Sequence, residues 1–287
     1  MKGASIKGCS LKGCSLDISN EKLNIVKEYV KMVARGNINC LFLFGEGGIG
    51  KTETILRTLE NEECKSVYMN GVVTPLELYH SLFDYNGKLI IYDDIEGVLS
   101  SSKAVSLLKG ATYGYKGKRV LNYNTTSSLL RVPENFEFTG RIILCMNHFP
   151  ENNPSLEALY RRTLYYELRL SLQEKMDIFK QIAERSYPGI SKEKRIMIYD
   201  FIIEHISEAT KRLSIREIFK AFEIYKATNS KWRGLVRELL QVDTDTEVFL
   251  KTEKMRCKIN HRIKTFSEVT GKSRATYFRI KRKLLGD

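Results

Sequence analysis

No apolar run in this chain is long enough to span a bilayer, which excludes a transmembrane helix. The first residues carry Lys2, Lys7 and Lys12 with no apolar h-region between them, so a secretory signal is not expected. No C-x-x-C pair exists among the six cysteines, and no histidine stands close to Cys9 and Cys14, so zinc is not supported. Cys40 and Cys145 lie inside apolar runs and read as small core residues. Together these absences predict a reduced, cytoplasmic protein with no membrane partner.

What is present is a balance of charge tilted far to one side. The 287 residues carry a formal net charge of +13, and 43% of them are hydrophobic. The apolar share is enough to bury a sizeable core. The positive excess favours a polyanionic partner. It is concentrated at the C-terminal end, where residues 251–287 hold twelve Lys or Arg against three Asp or Glu.

Residues 45–52 spell the phosphate-loop pattern G-x-x-x-x-G-K-[ST] in full: Gly45, Glu46, Gly47, Gly48, Ile49, Gly50, Lys51, Thr52. The glycines let successive backbone N–H groups turn inward as an anion nest. Lys51 can reach the β- and γ-phosphates, and the Thr52 hydroxyl can ligate Mg²⁺. The apolar run 40–44 before it reads as a buried strand. Residues 52–60 after it read as a helix whose N-terminus faces the phosphates. A GTP-type Asn/Thr-Lys-x-Asp motif is missing, so ATP is the expected nucleotide.

Further strands are predicted at 65–69, 88–92, 141–146 and 164–168, alternating with helices, and a helix is predicted over 17–35. Such alternation predicts a parallel sheet covered on both faces. Residues 1–16 hold a short Lys-Gly-x-Ser repeat and read as a flexible tail. From 171 to 241 the periodicity is helical, and the acidic stretch 242–247 reads as a linker before a terminal domain over 248–287.

The run ending in Asp93 and Asp94 places carboxylates at the C-terminal edge of a strand, where ligands gather in open α/β sheets. Asp93 would hold Mg²⁺ through water, and Asp94 would orient or deprotonate the attacking water. Asn147 closes a further apolar strand. It can bond the γ-phosphate or the attacking water, or serve as a turn or cap. Arg161, Arg162 and Arg216 each read equally as solvated surface charges.

The ordered set of loop 45–52, Asp93-Asp94, Asn147, Arg161-Arg162 and Arg216 resembles the AAA+ ATPases over roughly residues 17–240. It looks most like the DnaA and helicase-loader branch, with a layout similar to DnaA-like ATPases of archaeal spindle-shaped viruses. The resemblance implies an α/β P-loop core over 17–170 and a helical lid over 171–241. It implies Asn147 as sensor 1, Arg216 as sensor 2 on the lid, and Arg162, with Arg161 as the alternative, as a finger acting on ATP of a neighbouring subunit. ATP would then sit between subunits and drive a homo-oligomer, with hydrolysis to ADP and phosphate as the reaction. Asp94 stands where most members have Glu, which implies slow, switch-like hydrolysis.

Residues 263–285 read as a helix–turn–helix. Gly271 supplies the turn and Ser273 the cap of the second helix. Tyr277, Ile280 and Leu284 share the inward face. Ser273, Arg274, Thr276 and Arg279 face outward near the helix N-terminus, where recognition helices meet base edges. Lys281 and Lys283 suit phosphate contacts. The segment resembles resolvase- and transposase-type recognition helices, and the expected partner is double-stranded DNA. The interleaved Tyr and Lys of residues 113–131 suit single-stranded DNA in a central channel, or a plain exposed hairpin. The expectation is a DNA-binding AAA+ ATPase of replication initiation, binding an origin or loading a replicative helicase. An AAA+ transcription regulator and a transposition-regulating ATPase are the alternatives. The Gly-Ala-Phe-Thr-Gly-Ala loop of the regulators is absent.

Overall fold

The computed structural model describes residues 18–71, 73–125, 128–148, 154–206, 210, 213–228, 230–241 and 243–285. The repeat tail expected at 1–16 lies outside them. The chain divides into two compact units, Ser19–Leu170 and Ser171–Asp287.

The first unit opens with α1 (Glu21–Ala34), β1 (Cys40–Gly45), α2 (Lys51–Asn61), β2 (Ser66–Asn70) and α3 (Pro75–Asp84). It continues with β3 (Leu89–Asp93), α4 (Glu96–Leu99), α5 (Ser102–Thr112) and two short strands, β4 (Val120–Asn122) and β5 (Asn135–Glu137). β6 (Arg141–Met146), α6 (Pro154–Tyr160) and β7 (Leu164–Leu168) complete it. Five strands form one parallel sheet in the order β2-β3-β6-β1-β7.

The central strands are apolar along their whole length because helices cover both faces. Every residue of β3 is buried, as are Cys40 to Leu43 of β1 and Ile142 to Met146 of β6. β1 runs between β6 and β7, so the loop that follows it leaves from the middle of the sheet. α1 buries Leu23, Val26, Val30 and Val33, the face its periodicity predicts. It begins at Glu21 rather than 17, because the Asn20 side chain accepts the N–H groups of Lys22 and Leu23 and so caps the first turn. β4 and β5 form a separate antiparallel ribbon, and Tyr115 bridges to Lys118 across a turn. Tyr113 and Tyr115 are exposed there.

The second unit is all helical. It comprises α7 (Leu172–Glu184), α8 (Lys192–His205), α9 (Ile215–Thr228) and α10 (Trp232–Leu240), then α11 (Thr244–Glu253), α12 (Ile259–Thr270) and α13 (Arg274–Leu285). A capping box between Ser171 and Glu174 starts α7. Trp232 is buried edge-on to Phe201 of α8 and Tyr225 of α9.

The last three helices share a core of their own, built from Phe249, Ile263, Phe266, Tyr277 and Ile280. Tyr277 meets Phe249 and Phe266 edge to face at 4.9 and 5.4 Å. The acidic stretch expected as a linker instead caps and opens α11. Asp243 accepts from the Asp245 N–H and the Thr246 hydroxyl, and Asp245 and Glu247 sit in the first turn, where the helix dipole favours carboxylates.

Candidate functional site

The end of β1 and the start of α2 are joined by residues 45–50, at the C-terminal edge of the sheet. Gly45 takes φ 152°, and a Cβ there would stand 2.2 Å from the Leu168 carbonyl oxygen of the neighbouring strand. Only glycine lets the loop leave the sheet at this point. Gly48 and Gly50 follow at φ 76° and 91°. No side chain caps α2 behind Gly50, so the helix N-terminus has the form that takes an anion.

Lys51, only 5% exposed, donates to the carbonyl oxygens of Gly45 (2.7 Å) and Glu46 (2.8 Å) and to Asn147 Oδ1 (3.1 Å). The ammonium thus lies folded against its own loop. Ile49 is buried and anchors the loop from beneath, while Glu46 and Gly47 are exposed.

The two aspartates diverge. Asp93 ends β3, buried, and its Oδ2 accepts from the Thr52 hydroxyl (2.9 Å) and the Tyr68 hydroxyl (2.7 Å). Asp94 takes a left-handed φ of 54°, which aspartate tolerates better than most residues, and its N–H donates to the Cys145 carbonyl. That twist swings its carboxylate to the exposed side, where Asn147 Nδ2 donates to Oδ1 at 2.6 Å. One carboxylate therefore meets the helix that carries the loop, and the other meets the polar end of β6. Loop, Lys51, Thr52, Asp93, Asp94 and Asn147 are all brought together.

Oxygen donors from Thr52 and Asp93 beside an anion nest fit Mg²⁺, which keeps several waters and takes few protein ligands. Among the described residues no group of three or more His, Cys, Asp or Glu could hold a metal by itself. Tyr68 and Asn70 are neighbours of this pair that sequence reasoning missed. Burial first, and then the bond to Asp93, pushes the Tyr68 hydroxyl up to about 12, although the Asn70 amide beside it acts the other way. Cys145 lies 3.8 Å from the Thr52 hydroxyl, and burial pushes its thiol far up.

Arg161 and Arg162 have partners of their own. Arg161, in the turn after α6, is paired with Glu157 of that helix at 2.6 Å. Arg162, next along the turn, is exposed and stands over the Tyr113 ring at 5.7 Å. Arg216 lies exposed in the first turn of α9, in the second unit.

In the terminal helices Gly271 closes α12 in the left-handed conformation at φ 69°, and the Ser273 hydroxyl accepts the Thr276 N–H that opens α13. Tyr277 and Ile280 are buried and Leu284 packs against them. Ser273, Arg274 and Arg279 are exposed, while Thr276 and Lys281 are half-buried. Arg274 also covers the Phe278 ring. The side chain of Lys283 lies outside the described residues.

A P-loop sheet of the AAA+ kind followed by a helical C-terminal region is the fold of this chain. The Thermotoga maritima RuvB Holliday junction branch migration motor aligns with 94% of the chain and 90% of its own length, at TM-score 0.50 and 15% identity. A replication initiator DnaA bound to AMPPCP and single-stranded DNA aligns with 85% of this chain and 73% of its own, at TM-score 0.48 and 13% identity. At such identities the likeness is one of fold. No family model matches. A relative from Enterobacteria phage T4, described as an uncharacterized 36.7 kDa protein of the nrdC-mobD intergenic region, is 27% identical over 235 residues. The match takes in 75% of this chain and 66% of that protein, so the chain spans about two thirds of its relative's length. No helix among the described residues is long and apolar enough to cross a membrane.

Proposed function

We propose that this chain is an ATP-hydrolysing, DNA-binding AAA+ protein acting in replication initiation, as an origin binder or helicase loader. One observation carries the nucleotide reading: phosphate loop, Thr52–Asp93 pair and Asp94–Asn147 pair converge at one sheet edge. DnaA, a replication initiator bound to an ATP analogue and single-stranded DNA, and RuvB, a Holliday-junction motor, give the fold its known settings.

In this reading ATP binds along residues 45–52, with its phosphates on the nest and the α2 N-terminus. Lys51 turns from the Gly45 and Glu46 carbonyls to the β- and γ-phosphates. Thr52 and Asp93 would hold Mg²⁺, which would supply charge neutralisation to the phosphates. Asp94 orients the attacking water and takes up its proton, and Asn147 fixes the Asp94 carboxylate and meets the γ-phosphate. Arg162 acts as the finger toward a neighbouring copy, because Arg161 is already committed to Glu157. Arg216 reports the γ-phosphate from the lid, and the homo-oligomer forms around bound ATP.

α12 and α13 would read duplex DNA. The exposed Arg274 and Arg279 suit base edges, and Lys281 and Lys283 suit phosphates. Exposed Tyr113 and Tyr115 would stack on single-stranded DNA in a central channel.

Gel shifts with fragments of the protein's own replicon, with and without ATP and at several salt concentrations, test this reading. Retardation specific to an origin fragment and sensitive to ATP is the expected result. Arg216→Ala should abolish ATP-dependent assembly while leaving DNA binding by the terminal helices intact; unchanged assembly contradicts the assignment. Arg274→Ala should cost about 1–3 kcal/mol of specific affinity and relax specificity at one base pair. Binding indifferent to sequence points to the transposition class, and footprints at promoters without origin activity to the regulator class.

A further inference from the structure

The strand beside Asp93 adds a control on the metal site. β2 pairs with β3 in parallel, with Asn70 opposite Asp93 and Tyr68 opposite Ile91. Tyr68 and Asn70 are two apart on the strand and so share one face of the sheet. The Asn70 amide Nδ2 donates to the Tyr68 hydroxyl oxygen at 3.1 Å, and that hydroxyl reaches Asp93 Oδ2 at 2.7 Å. An ionised carboxylate only accepts, and the amide nitrogen only donates. The single phenolic hydrogen therefore lies on the line to Asp93, and the direction of the whole chain is fixed: Asn70 to Tyr68 to Asp93.

Asp93 Oδ2 receives a second hydrogen from Thr52 Oγ1 at 2.9 Å. With its hydrogen directed to Asp93, Thr52 Oγ1 keeps its lone pairs as the donors that a cation would use. Tyr68 holds the same Oδ2 and so helps to fix the carboxylate that sets this orientation.

We propose that Tyr68, oriented by Asn70, is a positioning residue for the metal-holding pair Thr52–Asp93, and that it sets the affinity of the nucleotide-loaded protein for a divalent cation. The proposal rests on the reading of Thr52 and Asp93 as that pair. Hydrogen-bond partners that orient a metal ligand are worth roughly 10–100-fold in metal affinity. A phenol serves here where a stronger donor would not. A lysine in its place would put a second cation beside the metal, whereas neutral Tyr68 steadies Asp93 and leaves its charge to face the ion.

The test uses the full chain, as wild type and as Tyr68→Phe, Asn70→Ala and Asp93→Ala. ATP binding is first measured calorimetrically in EDTA. Mn²⁺ is then titrated into each ATP complex, and free Mn²⁺ is followed by electron paramagnetic resonance. Tyr68→Phe should keep the metal-free ATP affinity and the melting temperature of the wild type, while its Mn²⁺ affinity falls roughly tenfold. Asn70→Ala, an exposed and tolerant position, should move Mn²⁺ affinity the same way by less, which keeps the test open should Tyr68→Phe fold poorly. Wild-type Mn²⁺ affinity in both variants overturns the proposal, as does a rise, which would mean that Tyr68 competes with the metal for Asp93. Should Asp93→Ala itself leave Mn²⁺ affinity unmoved, the metal-site reading fails and the proposal with it.

Discussion

On the proposed reading, Lys51→Ala is expected to lower ATP hydrolysis at least about a hundredfold, the loss typical of removing one preorganised donor from a developing anion. The expectation follows from where the ammonium stands. It is nearly buried, and three oxygens hold it at the mouth of the loop. On that reading, a cation kept there by weak carbonyl acceptors would exchange them for phosphate oxygens, to which its bonds are charge-assisted on both sides and roughly twice as strong. Alanine removes that exchange. It also takes a donor from the buried Gly45 carbonyl and from Asn147, so the variant loses folding stability as well, by about 1–3 kcal/mol for a buried acceptor deprived of its donor. The two effects separate on measurement. Lys51→Met restores much of the volume and none of the charge, so it recovers part of the melting temperature and none of the turnover. Hydrolysis near the wild-type rate in Lys51→Met would remove Lys51 from the chemistry.

Gly45→Ala is expected to have a large effect on folding. The added Cβ would lie 2.2 Å from the Leu168 oxygen and 3.1 Å from its carbonyl carbon. Those are backbone atoms in register with Gly45 across the β1–β7 pair, so relief requires the two strands to part. The φ of 152° adds conformational strain. Together, overpacking and strain place the cost at about 3 kcal/mol or more. Gly117→Ala is the matched control: its φ is 80° with no atom within 4 Å of the added carbon, so only the left-handed conformation is penalised, at about 1 kcal/mol. Urea unfolding of the two variants should show that difference. Equal midpoints would mean that the clash with β7 is not what reserves position 45 for glycine.

The features legible in the chain are those written locally. Buried parallel strands are unbroken apolar runs, so β1, β3, β6 and β7 fall within a residue of their expected limits. The phosphate loop, a fixed run of eight residues, states its own geometry. Caps were harder to read. Asn20 starts α1 where Asp17 was the expected boundary, and residues 242–247 look like a linker because the Asp and Thr that cap a helix also populate loops. The β4–β5 ribbon has strands of three residues, half exposed, too short to show an alternation. Tyr68 was invisible for another reason. Its bond to Asp93 spans 25 residues and exists only once β2 lies beside β3. The available signal was its place near the end of the strand preceding the Asp-bearing strand. Asn147 could be a turn residue or a phosphate contact by sequence alone. Its bonds to Lys51 and Asp94 place it between the loop and the second carboxylate.

The most direct test is equilibrium binding of labelled ATP to the full wild-type chain, with unlabelled ATP and GTP as competitors and Lys51→Ala in parallel. Saturable one-site binding is predicted, displaced by ATP far better than by GTP and lost in the variant. A wild-type chain that takes up no adenine nucleotide, or a Lys51→Ala chain that takes it up equally well, contradicts the account at its root.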